Sequence, residues 1–131
     1  MALQSKSGVG TLDLMIEEAA GPRRYDANTE GSIDLLVDEN VVFITDHADT
    51  DKYITLPPVT AAEGKFYYFY KTDASTQSVF VVPHGFVSST LNGGDSANWD
   101  GSTGYDIDAQ YDHLLLLALG GVWITVSNGI A

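Results

Sequence analysis

A chain of 131 residues with 44% hydrophobic side chains is long enough for one domain with a real core. It has no cysteine, which excludes disulfide scaffolds, thiol catalysis and cysteine-ligated zinc. Eighteen acidic residues against six basic ones give a formal charge of −12, a balance that repels phosphate backbones and argues against a nucleic-acid partner.

The elements follow in chain order. Residues 1–12, MALQSKSGVGTL, are small, polar and glycine-containing, and are expected to form a flexible N-terminal arm without a hydrophobic leader core. Residues 13–131 are expected to be one β domain. The start of DLMIEEAAGPRRYDANTEG is ambiguous between a short strand and one helical turn, and Gly21-Pro22 stops it. From Ser32 the pattern becomes β. In SIDLLV, Ile33, Leu35 and Val37 recur at period two. VVFIT and KYITL are the next strands, separated by the polar turn HADTD. The aromatic strand over 65–71 is followed by SVFVV, which ends at Pro83 and Gly85. Residues 88–104 read as loop, YDIDA as a short strand, and HLLLLAL and VWITVS as a hairpin across Gly120-Gly121. About eight short strands with regular turns predict an all-β fold. The expected architecture is a single jelly-roll-like sandwich, or a small distorted barrel, of antiparallel strands. No apolar run is long enough to cross a membrane as a helix, so no membrane partner is expected.

The segment GKFYYFYK carries five successive aromatic residues. Side chains alternate along a strand, so Phe66, Tyr68 and Tyr70 share one face and Tyr67 and Phe69 the other. Both faces therefore need a cover. One is expected to pack on the domain's own core; the cover of the other is the second sheet's edge, a loop or another subunit, and Tyr67 and Phe69 are the candidate subunit-interface residues. Leu114 to Leu117 raise the same question.

No motif supports catalysis. There is no GxSxG elbow, no GxGxxG and no phosphate loop, so a non-enzymatic protein without a cofactor is expected. Asp46, Asp49 and Asp51 lie beside His47, but their spacing does not match a calcium loop. Asp95, Asp100, Asp106 and Asp108 form a second acidic stretch without a calcium-repeat pattern. The histidines His47, His84 and His113 are too dispersed to form a zinc motif, and no metal is expected. Trp99, between Asn98 and Asp100 in the long loop, is the candidate glycan contact.

The order ITLPPVTAAEGKFYYFYKTDAS, SVFVVPHG, STLNGGDS and AQYDHLLLLALGGVWITVS resembles a pattern found in tailed-bacteriophage virion surface proteins. These include capsid decoration (cement) proteins and β-domains of head and tail fibres. The anchors here are Leu56, Pro57, Gly64, Phe66, Tyr68, Lys71, Asp73, Pro83, Gly85, Leu91, Asn92, Gly93, Gly121 and Trp123, within residues 53–127. The resemblance implies a structural role on the outer capsid surface, a homotrimer, and the major capsid protein as partner. It brings no catalytic residues. The chain has no coiled-coil heptads or collagen-like repeat for a fibre shaft, which favours decoration over a fibre. The alternative is a receptor- or glycan-binding domain of a tail or head fibre. An arm of about 12 residues reaches roughly 40 Å when extended. Leu3, Lys6 and Val9 on the arm, with Arg23 and Arg24, are the candidate capsid contacts.

Overall fold

The computed structural model describes residues 22–46, 50–85 and 104–131. Among them are nine strands and one helical turn: β1 (Arg23–Asp26), α1 (Ala27–Glu30), β2 (Ile33–Asp34), β3 (Val41–Asp46), β4 (Lys52–Thr55), β5 (Phe66–Lys71), β6 (Val79–Val82), β7 (Tyr105–Ile107), β8 (His113–Leu119) and β9 (Val122–Gly129). They form two sheets, a five-stranded one in the order β1-β3-β5-β8-β9 and a four-stranded one in the order β2-β4-β6-β7. The all-β expectation holds, with the core between the two sheets and neither sheet closed into a barrel.

The expected antiparallel pairing needs correction. β1, β3 and β5 run parallel to one another, as do β2, β4 and β6. Only β5–β8, β6–β7 and β8–β9 are antiparallel. Up to β6 the chain alternates between the sheets, so each return places a strand beside one that runs the same way. Parallel neighbours need a long crossover, and here a strand of the opposite sheet supplies it. Hydrophobic alternation reports which face of a strand is buried, not the direction of its neighbour.

Inward positions fill the core at period two: Val42 and Ile44 on β3, Tyr67 and Phe69 on β5, Leu114, Leu116 and Ala118 on β8, facing Ile54, Val79, Val81 and Ile107. Tyr67 and Trp123 meet edge to face at 5.4 Å. The buried phenols keep partners: Tyr67 donates to the Val37 carbonyl at 2.6 Å, and Tyr25 donates to the Gly31 carbonyl. Burial pushes both phenols up to about 12. Tyr105 and Thr125 bond hydroxyl to hydroxyl and tie β7 to β9.

Local chemistry fixes the connections. Asp26 caps α1 by accepting from the Asn28 and Thr29 amides, while Glu30 reaches back to the Asp26 amide at 3.0 Å. The latter part of the stretch DLMIEEAAGPRRYDANTEG is a strand, Arg23–Asp26, and one helical turn, Ala27–Glu30, while its start, residues 13–21, lies outside the described residues. SIDLLV is a strand only over Ile33–Asp34, because the chain turns at Leu36, whose carbonyl accepts from the Glu39 amide. The predicted β8–β9 hairpin is present. Gly120 (φ 66°) and Gly121 (φ 78°) supply the two left-handed positions its two-residue turn requires. Glu63 accepts from both their amides, at 2.9 and 3.3 Å.

Candidate functional site

The outer face of the five-stranded sheet is the chief candidate surface among the described residues. Register places Phe43, Tyr70 and His113 in one row across β3, β5 and β8. Val41, Tyr68 and Leu115 form the next row, continued by Ser127 on β9. Phe66, Leu117 and Ile124 form a third, and Leu119 and Val122 close the hairpin end. Seven large hydrophobic residues are exposed among the described residues. Five of them, Phe66, Leu119, Val122, Ile124 and Val126, lie on this face, and a sixth, Tyr111, stacks on Tyr70 at its rim with ring centres 6.3 Å apart. Exposed patches of this kind mark contact surfaces.

The patch has two ends. At the aromatic end, Phe43 meets Tyr70 edge-on at 6.3 Å, and Tyr68 stacks beside Tyr70 at 6.4 Å. His113 tilts against Tyr68 at 6.4 Å. Burial, then the neighbouring Tyr70, pushes the Tyr68 phenol up, so it stays a neutral hydrogen-bonding group. Tyr111 adopts φ 74°, an uncommon conformation for a bulky residue. Its amide donates to the Lys71 carbonyl at 2.8 Å. The next residue, Asp112, is buried and accepts from the Asp108, Ala109 and Ala131 amides at 3.0–3.2 Å. These bonds hold the ring over the patch. At the aliphatic end, β9 presents Val122 and Ile124 outward while Trp123 packs inward. β9 carries a bulge at Val126, which has no partner on β8.

No carboxylate occupies an outward position of β5, β8 or β9, although the chain has 18 acids. The face suits packing against another apolar surface, and it holds no nucleophile with an adjacent base. Among the described residues an open cleft of about 470 Å³ is lined by Asp34 to Val37, Thr55 to Pro58, His84 and Gly85. Its only titratable side chains are Asp34 and His84.

The residues expected from sequence fall as follows. Tyr67 and Phe69 were expected at a subunit interface, and this needs correction: both are fully buried inside the sandwich. The strand's two faces were read correctly, but the inward one is Tyr67 and Phe69. The outward face carries Phe66, Tyr68 and Tyr70, of which Phe66 is exposed and Tyr68 and Tyr70 are half-buried. Arg23 is engaged inside the chain, 2.7 Å from Glu30 and 2.9 Å from Glu39. The Glu30 hydrogen bond, opposed by burial, leaves its guanidinium more strongly basic than usual. Arg24 is exposed on the outer face beside Phe43. Asp46 ends β3, and Asp51 accepts from Gln77 at 2.6 Å. Leu3, Lys6, Val9, His47, Asp49, Asp95, Trp99 and Asp100 lie outside the described residues. Leu119, Val122, Ile124 and Val126 were missed. Their signal was available: with Trp123 inward, the even positions of VWITV must face out.

Comparison of the chain with protein-family models, with curated proteins and with solved structures gives no match in any of the three.

Proposed function

We propose that this chain is a non-enzymatic structural protein of a tailed-bacteriophage virion: a capsid decoration protein that binds the outer shell as a homotrimer and stabilises it. The observation that carries an assembly role is the apolar outer face presented by β5, β8 and β9, which bears no carboxylate in a chain with a net charge of −12. An exposed apolar face of this kind is what a protein that acts by association maintains. The parallel strands β3 and β5 point the same way, since parallel sheets are normally covered on both faces. The virion setting is supported by the turn-and-strand pattern of residues 53–127.

Shell stabilisation in this reading is mass action. A protein that binds only the assembled lattice shifts the equilibrium toward it, and several linked subunits add avidity. Residues 1–12 and the exposed Arg24 are the proposed grip, and the acidic remainder faces solvent.

The test is co-sedimentation of the purified protein with assembled shells and with unassembled shell protein of the encoding phage. Saturable binding to shells alone, weakened by deleting residues 1–12, is expected. Equal binding to neither or to both sinks the reading.

A further inference from the structure

We infer that the outer face of the five-stranded sheet, from Phe43 and Tyr70 to Ile124 and Val126, is the surface through which copies of this chain meet. This deepens the proposed assembly role by naming the oligomer's interface, and it rests on that reading only for its biological setting.

Three observations select a second copy as the occupant. The first is clustering. Of the seven exposed large hydrophobic residues among the described ones, only Leu36 lies away from this face and its rim. Scattered exposure needs no explanation, but a contiguous patch does.

The second is area. Phe66 is 40% exposed, Tyr111 62% and Val126 50%, with Leu119, Val122 and Ile124 between 38% and 48%. Aromatic side chains bury about 150–250 Å² each when fully covered. These six then offer roughly 400–600 Å², before the partly exposed Phe43, Tyr68, Tyr70, Leu115 and Leu117 are added. A stable association needs about 800 Å² per partner, so the patch as a whole is of the right size.

The third is charge. Two chains of −12 repel at almost any other approach. On this face β5, β8 and β9 present no acid, so two copies can dock without desolvating a carboxylate. A basic partner would favour the acidic surfaces instead. Packing through this face is also favoured over joining sheets edge to edge. The bulge at Val126 interrupts the β9 edge, a device that discourages strand addition.

The experiment is sedimentation velocity from about 1 to 100 µM, a range that brackets micromolar association. It uses the unaltered protein, Ile124→Asp, Val126→Lys and the off-face control Leu36→Asp, with circular dichroism to confirm folding. Val126→Lys sits at the exposed bulge and gives a readout if Ile124→Asp does not fold. We expect a dimer or larger closed oligomer for the unaltered protein and Leu36→Asp. Each face variant should weaken association at least about thirtyfold, as loss of a central contact does. An unaltered protein that is monomeric throughout overturns the inference, as does a folded face variant that keeps the unaltered mass.

Shell co-sedimentation of the same samples separates the two claims. A monomer that still decorates shells overturns this inference and leaves the decoration reading standing. An oligomer that both face variants dissociate, yet which ignores shells, supports this inference and sinks that reading.

Discussion

Lys71 and Asp73 form an ion pair at the end of the aromatic strand: Nζ lies 2.6 Å from Oδ1, with the lysine side chain 1% exposed and the aspartate 16%. The ammonium donates to three acceptors, Asp73 Oδ1, the Asp73 carbonyl and Ser75 Oγ. The Asp73 carboxylate in turn accepts from the Ser75 amide at 3.1 Å. A buried lysine is costly unless its donors are satisfied, and Asp73 and Ser75 in the turn after β5 satisfy it. The KTDAS turn is therefore a clasp that lets an apolar strand end in a charge.

The clasp predicts an asymmetry between its partners. Asp73→Asn leaves a buried ammonium with a neutral partner and should cost about 2–4 kcal/mol. Lys71→Met leaves a carboxylate that can turn to solvent and should cost about half as much. Equal losses in urea denaturation would refute this account.

The same pair sets an acid limit. Burial alone would raise the Asp73 pKa, but hydrogen bonds from Lys71 and Ser75 and the lysine charge outweigh it and hold the group below the usual carboxylate range. Glu30 is also held low, by its hydrogen bond from Arg23 against a smaller effect of burial. A depressed folded pKa gives stability that is fully present above the unfolded value, about 3.9 for aspartate. It is lost as pH falls through the folded value. The stability gap between the unaltered protein and Asp73→Asn should be constant near neutrality and shrink below about pH 4.

Asp106 behaves in the opposite sense. It lies opposite Phe80, and one of its carboxylate oxygens is buried without a partner. Burial raises its pKa, the Ser78 hydrogen bond lowers it, and Asp108, Asp51 and Asp112 raise it further. A raised carboxylate pKa means that stability falls as pH rises from the unfolded value to the folded one. Asp106→Asn should therefore stabilise the protein at pH 7, by no more than about 1 kcal/mol because the group is only partly buried. The gain should vanish near pH 3. A lower melting temperature at pH 7 would count against the proposed repulsion.

The two tyrosine faces of β5 predict different costs. Tyr67→Phe removes the part-buried hydrogen bond to the Val37 carbonyl and should cost about 1–2 kcal/mol. Tyr68→Phe on the outer face should change stability by less than about 0.5 kcal/mol. Above pH 10 the protein should lose stability as Tyr67 resists ionisation up to about 12 while its unfolded counterpart does not. Ultraviolet titration of the phenols, followed alongside circular dichroism, checks both.

His113 and Gly129 are register partners, and a Cβ on Gly129 would collide with the imidazole ring. Gly129→Ala should destabilise by about 1–3 kcal/mol, the cost of overpacking. Adding His113→Ala should recover much of that loss. A double-mutant cycle with no coupling would show that the ring moves aside freely.

Local sequence determined much of this protein. The short apolar and aromatic runs VVFIT, FYYFYK and HLLLLAL marked strands, and the alternation of side chains along a strand sorted each run into two faces. Gly120-Gly121 marked its hairpin, because only glycine readily takes both left-handed positions. Three things were decided by tertiary structure alone. The first is strand direction, since parallel pairing arises from a chain that returns through the opposite sheet, a relation between distant segments. The second is which aromatic face turns inward. Tyr67 has the Val37 carbonyl and Trp123 to receive it and Phe69 lies opposite Val42, and none of these partners is adjacent to the aromatic strand in sequence. The third is the apolar face itself. It is assembled from three strands whose outward residues look unremarkable one strand at a time, and only register brings Phe66, Leu117 and Ile124 into one row.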